Sequence, residues 1–208
     1  MMRMRLLGLV AVLCSMLVAA FSAGCVNIKK AYPDKRNYVL EAQRPDSSPR
    51  TPPRADSICV RNFTISPRYE SGELVYRHNE FNYAADFYNR FFVSPEILVT
   101  EETRTWLKQS GMFRNILEPG SHAIPQYILE GSITTIQGDY RKTPLAVLEI
   151  QFLVSEGADA PGKILMQKDY RKEIPLPKAE PNALVQGLNQ ALAQILQDFE
   201  ADLRKALP

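Results

Sequence analysis

The last helix-like stretch constrains this chain most. Residues 181–206 place Leu184, Leu188, Ala191, Leu192, Ile195, Phe199 and Leu203 at spacings of three and four. That is the period of a helix with one apolar stripe. Gln186, Gln190, Gln197, Glu200 and Arg204 are read on the opposite side. A membrane-surface helix would carry bases across its polar face. Here they gather at the C-terminal end, so the stripe is read as core-packing. Such a helix needs a one-faced partner. Residues 144–155 supply one, with Leu148, Ile150, Phe152 and Val154 alternating against Glu149 and Gln151. Strict alternation is the mark of a half-buried strand.

Working outward, residues 126–137, 144–155 and 163–171 read as three antiparallel strands with short connections. Residues 57–66, 73–78, 81–89 and 112–117 read as further strands. The first changes phase between Val60 and Phe63, which predicts a bulge. Ser94-Pro95-Glu96 opens a helix, with Ser as N-cap and Pro at the first helical position, that ends near Gly111. The expected architecture is α/β: a two-layer sandwich with a mixed, mostly antiparallel sheet of five to seven strands and two helices on one face.

The N-terminus directs where this domain folds. Arg3 and Arg5 precede about 16 apolar residues, 6–21, and then Ser22-Ala23-Gly24-Cys25. A positive start, a short apolar run and small residues make a secretory signal. The run is short for a membrane-spanning helix, which needs about 20 residues. Ala23-Gly24-Cys25 resembles the end of a bacterial lipobox, although Ser22 stands where Leu is usual. Two readings compete. Cleavage before Cys25 leaves a lipid-anchored protein. Cleavage nearby leaves Cys25 as a stray thiol, which an oxidising compartment disfavours. Residues 1–24 are therefore assigned to a signal peptide, 25–56 to a lipidated N-terminus and Pro-rich tether, and 57–208 to the folded domain. The tether contains one apolar island, Tyr38-Val39-Leu40, of the kind that docks on a sheet edge.

Loss of the signal removes two bases and no acids, leaving 23 bases and 23 acids. Bulk electrostatics thus exclude a nucleic-acid binder. Cys14 leaves with the signal, so Cys25 and Cys59 remain. With Cys25 acylated, no intramolecular disulfide can form. Cys59 sits in an apolar strand pattern and reads as a small hydrophobe. His78 and His122 have no metal-ligand spacing around them, and the nucleophile-elbow, phosphate-loop and zinc-protease motifs are absent from the sequence. The chain is read as a non-enzyme. No cofactor and no metal are expected beyond covalent lipid, palmitate included, on Cys25.

The aromatic cluster offers the better clue. Tyr69, Tyr76, Phe81, Tyr83, Phe87, Tyr88, Phe91 and Phe92 fall within 24 residues. Alternation sends Phe81, Tyr83 and Phe87 to one face, the core side. Tyr76, Tyr88 and one of the Phe91-Phe92 pair are then left for a binding surface. With Tyr38, these residues form the candidate partner-binding set: Tyr38, Tyr76, Tyr88, Phe91 and Phe92.

Tyr38-Val39-Leu40 soon after a lipobox, the strand around Ile58–Ile65, and Leu74-Val75-Tyr76-Arg77 before an aromatic strand and helix resemble the ABC-type transport auxiliary lipoproteins. Leu107–Phe113 is also similar to a helix-end stretch in TolB-like N-terminal domains, which share this kind of α/β sandwich. The resemblance implies an auxiliary subunit working with an ATPase, a permease and an MCE-domain protein that move phospholipid or other apolar molecules. It implies docking at the periplasmic side of the outer membrane, and Val26 after the cysteine resembles the outer-membrane sorting pattern. A ring-built partner would favour a homo-oligomer. Two other readings stay open: a lipoprotein that itself binds a lipid between sheet and helices, and an assembly lipoprotein of a secretion machine.

Overall fold

The structure, a computed structural model, describes residues 34–45, 52–157 and 162–208. The expected signal peptide, Cys25 and parts of the expected tether lie outside the described residues. By contacts the chain divides into Met1–Asp34 and Lys35–Pro208. The second unit holds the sheet and both of the helices that face it.

That sheet is mixed and nine-stranded. Its spine is β7 (Tyr127–Asp139), thirteen residues long. On one side β7 pairs antiparallel with β8 (Leu145–Glu156), and β8 with β9 (Ile164–Pro175). This is the expected meander. On its other side β7 is shared lengthwise by three parallel partners. β2 (Ala55–Val60) takes Tyr127 to Leu129, β3 (Thr64–Ile65) takes Ser132 and Ile133, and β4 (Glu73–Arg77) takes Gly138 and Asp139. From β2 the sheet continues to β6 (Phe113–Leu117). From β4 it continues to β5 (Tyr83–Phe91), and from β5 to β1 (Arg36–Tyr38). The last three strands form a wing extending from the spine.

The helices fall where the sequence places them. α1 spans Pro95–Ser110 and ends on Gly111 at φ 64, the left-handed conformation that glycine tolerates. Ser94 precedes it but makes no side-chain cap bond. The inner face of α1 is irregular in sequence because two of its buried positions are Thr100 and Thr103. Their hydroxyls donate to the Glu96 and Val99 carbonyls at 2.6 and 2.7 Å. α2 spans Pro181–Ala206 and buries Leu184, Leu188, Leu192, Ile195, Phe199 and Leu203 against the sheet. Phe199 stacks on Phe152 of β8 with centroids 4.3 Å apart. A Cβ on Gly187 would lie 2.7 Å from Ala146 Cβ, so α2 rides close to β8 there.

Four expectations change. The sheet has nine strands, not five to seven, because β1 and β3 add to the seven read from the sequence. The expected bulge between Val60 and Phe63 is a full break. Phe63 turns inward over Gly131, where a Cβ would sit 2.6 Å from its ring, and its N–H donates to Thr100 Oγ1 at 3.0 Å. The folded unit begins at Lys35 and not at Ser57. Glu200, read on the solvent side of α2, is only 8% exposed.

Candidate functional site

All five candidate residues lie on or beside the β4–β5–β1 wing, but they divide into different roles. The wing is organised by Asp86. Opposite it, β4 pairs Glu73 with Arg90 and Leu74 with Asp86, so β5 carries three extra residues, Phe87 to Asn89. The Asp86 carboxylate holds this bulge. Its Oδ1 accepts the Tyr88 and Asn89 N–H groups at 3.0 and 3.1 Å. Its Oδ2 accepts Asn89 Nδ2 at 2.9 Å and the Tyr76 hydroxyl at 2.8 Å. The Tyr38 hydroxyl lies 3.0 Å from both Asn89 Oδ1 and Asn182 Oδ1, linking the wing to the first turn of α2. Tyr38 and Tyr76 are thus joined in one half-buried network. The Tyr140 ring stacks on Tyr76 with centroids 5.2 Å apart. Burial, and then the Asp86 hydrogen bond, push the Tyr76 phenol well above its usual range. Burial also pushes Tyr140 up to about 12. Both phenols stay neutral at any ordinary pH, and Tyr76 braces the bulge as a donor while Tyr140 braces it through its stacked ring.

The bulge changes which aromatics meet water. A bulge re-aims the side chains that follow it. Phe91 is core, 3% exposed, while Tyr88 is half-buried with its edge against Phe87. Phe81 and Phe87, expected in the core, are 89% and 60% exposed. Of the five candidates only Phe92 presents a largely exposed ring, at 70%. Phe92 has company. Its N–H donates to the Tyr38 carbonyl at 2.7 Å, which sets Val39 beside it. Phe92, Val93 and Ile97 line a shallow cleft of ≈ 300 Å³ with Gly72 and Arg90. Exposed apolar side chains in a contiguous group mark interaction surfaces.

The segment carrying Tyr38-Val39-Leu40 is a strap. Its β1 pairs parallel with β5, Arg36 opposite Asn89 and Tyr38 opposite Phe91. Leu40 is buried. The Glu41 N–H then donates to Asn189 of α2 at 3.1 Å, and the Ala42 N–H to Glu102 of α1 at 2.7 Å. Arg44 closes the strap on Glu200, with guanidinium–carboxylate distances of 3.2 and 3.0 Å. The same carboxylate accepts Trp106 Nε1 at 2.8 Å and Arg204 at 2.9 Å. Burial alone would raise the Glu200 pKa. The Arg44 and Arg204 guanidiniums and the Trp106 indole outweigh it and hold Glu200 below the usual carboxylate range.

Among the remaining chemistry-bearing residues, His78 sits at the edge of this network, its ring centroid 6.4 Å from that of Tyr76 and 6.1 Å from that of Tyr140. Cys59 is half-buried, and burial pushes its thiol above the ordinary value, away from a reactive thiolate. His78 and His122 are exposed and lie in separate turns. Among the described residues no three His, Cys, Asp or Glu side chains group as metal ligands. No described helix is long and apolar enough to cross a membrane.

The model of the ABC-type transport auxiliary lipoprotein component matches residues 38–199. The chain belongs to this family. The match opens on Tyr38, so it takes in the strap as well as the sandwich. Solved structures agree in fold. Protein XCC0632 from Xanthomonas campestris is 12% identical with a TM-score of 0.67, over 79% of this chain and 92% of that one. An uncharacterized protein is also 12% identical with a TM-score of 0.61, over 80% and 99%. Hypothetical protein CT253 from Chlamydia trachomatis is 9% identical with a TM-score of 0.51, over 74% and 98%. No curated protein matches the sequence. At such identities the likenesses speak for the fold. Membership makes this an envelope-associated transport lipoprotein, and the solved structures share its α/β sandwich.

Proposed function

We propose that this chain is a lipid-anchored, periplasm-facing auxiliary subunit of an ABC/MCE-type transport system. In this reading Cys25 tethers it to the outer membrane, and the system moves phospholipid or other apolar molecules across the envelope. The subunit acts by docking, not catalysis. The observation that carries the docking role is the exposed group Val39, Phe92, Val93 and Ile97, where α1 meets a wing braced by Asp86 and two tyrosines. A rigid support lowers the ordering cost of binding.

The filled interface between α2 and the sheet supports docking over carriage. Leu184, Leu192, Ile195 and Phe199 are fully buried against Leu148, Ile150 and Phe152. A carrier would keep that space for its ligand. Affinity purification from envelope extracts after mild crosslinking is the test. The expected result is co-purification of an MCE-domain protein or an ABC permease or ATPase. Recovery of none of these contradicts the reading.

A further inference from the structure

The wing has two apolar ends, and strand direction assigns them different surroundings. β1 runs parallel to β5, from Arg36 opposite Asn89 to Tyr38 opposite Phe91. Going back along the strap from Arg36 therefore leads past Phe87 toward the β4–β5 turn, away from Phe92. Lys35 bears this out, with its ammonium 4.2 Å from the centroid of the Phe87 ring. Lys35, from which the chain leads back in sequence to Cys25, thus stands at the Phe87 end. Ten residue steps from Cys25 to Lys35 span at most about 35 Å when extended.

Two exposed phenylalanines stand at that end on built supports. Phe87 rides the Asp86-held bulge. Phe81 sits in the β4–β5 turn, where Asn79 Oδ1 accepts the Phe81 and Asn82 N–H groups at 3.0 and 2.8 Å. The Arg77 guanidinium ties the same turn by donating to the Asn79 and Glu80 carbonyls at 3.2 Å each. Between the two rings lies Tyr83, with the Arg68 and Arg77 guanidiniums 4.7 and 5.5 Å from its centroid. Arg141, paired with Asp139, and the acid Glu80 complete the surround. With Lys35 and Arg36 the bases exceed the acids. Exposed aromatics with basic neighbours beside an acyl anchor match an anionic bilayer, whose surface attracts Lys and Arg near the tether.

We infer that the β4–β5 turn and the Phe87 bulge rest on the bilayer that holds Cys25, inserting Phe81 and Phe87 at its interface. The contact fixes the domain's orientation on the membrane. The inference rests on the lipid-anchor reading. It adds a second membrane signal to acylation, and two signals anchor more firmly than one.

Trp106 is the only tryptophan and is buried, so single introduced tryptophans report cleanly. Lipidated full-length mature protein carrying Phe81→Trp, Phe87→Trp or, as the control, Ile124→Trp is reconstituted into vesicles of phosphatidylethanolamine and phosphatidylglycerol with brominated acyl chains. Flotation reads the anchor and fluorescence reads the contact. The expected result is that all three float and that emission from positions 81 and 87 falls by half or more, with position 124 unchanged. Flotation without quenching at 81 and 87, or with equal quenching at 124, overturns the bilayer contact alone. Failure to float overturns the anchor reading and this inference with it.

Discussion

Glu200→Gln is expected to destabilise the domain by about 3 kcal/mol, the lower end of what breaking a buried ion pair costs. The exchange preserves shape and the acceptor for Trp106. It removes the charge that Arg44 and Arg204 share. Arg44 is nearly buried against the Trp106 ring, so its guanidinium is left without a countercharge. For a domain of this size the loss lowers the melting temperature by roughly 6–12 °C. Urea unfolding followed by far-UV circular dichroism measures it. Because the strap hangs on this carboxylate, the variant should also expose Lys35, Arg36 and Arg44 to trypsin before the domain unfolds. The pH dependence has a fixed sign. Glu200 is held below its ordinary pKa in the folded chain. Its contribution is fully present above the unfolded value of about 4.3 and is lost as pH falls through the folded value. Wild type should therefore lose stability on acidification below that point more steeply than Glu200→Gln.

Cys25→Ser is expected to move the protein from the membrane fraction to the aqueous one while leaving its unfolding midpoint unchanged. Acyl chains contribute about 0.8 kcal/mol per buried methylene, far more than two interfacial phenylalanines. Every core side chain of the folded unit lies C-terminal to Lys35, so folding does not depend on position 25. Fractionation of envelope extracts, with labelled palmitate as a second readout, makes the measurement. A serine variant that stays in the membrane fraction contradicts the anchor.

The two predictions draw on sequence signals of unequal clarity. The lipobox-like end is local, so it is visible in three consecutive residues. The stripe of α2 and the alternation of β8 are also local, and both elements lie where periodicity places them. The Arg44–Glu200 pair is not local. An arginine in a Pro-rich stretch and an acid 156 residues later give no pattern to connect them. Tyr38-Val39-Leu40 was legible as an apolar island, yet its parallel direction along β5 depends on tertiary structure. The aromatic strand misled for a physical reason. Alternation groups Phe81 with Phe87 but does not say which face meets water, and the Asp86 bulge then resets the phase before Phe91 and Phe92. Asp86 gave one hint, as an aspartate inside a run of strand formers, where such residues bond their own backbone.

The proposed docking role places the functional weight on a braced sheet wing. The docking claim is tested most directly by a photo-crosslinking residue in place of Phe92, with Ile164 of β9 substituted in the same way as the control. Both positions are largely exposed, and they lie on separate parts of the sheet. Irradiation of intact cells and mass spectrometry of the adducts identify what touches each site. The expected result is an adduct between position 92 and an MCE-domain or ABC transporter subunit, with none from position 164. No such adduct from position 92, or the same adduct from both positions, would contradict the docking claim.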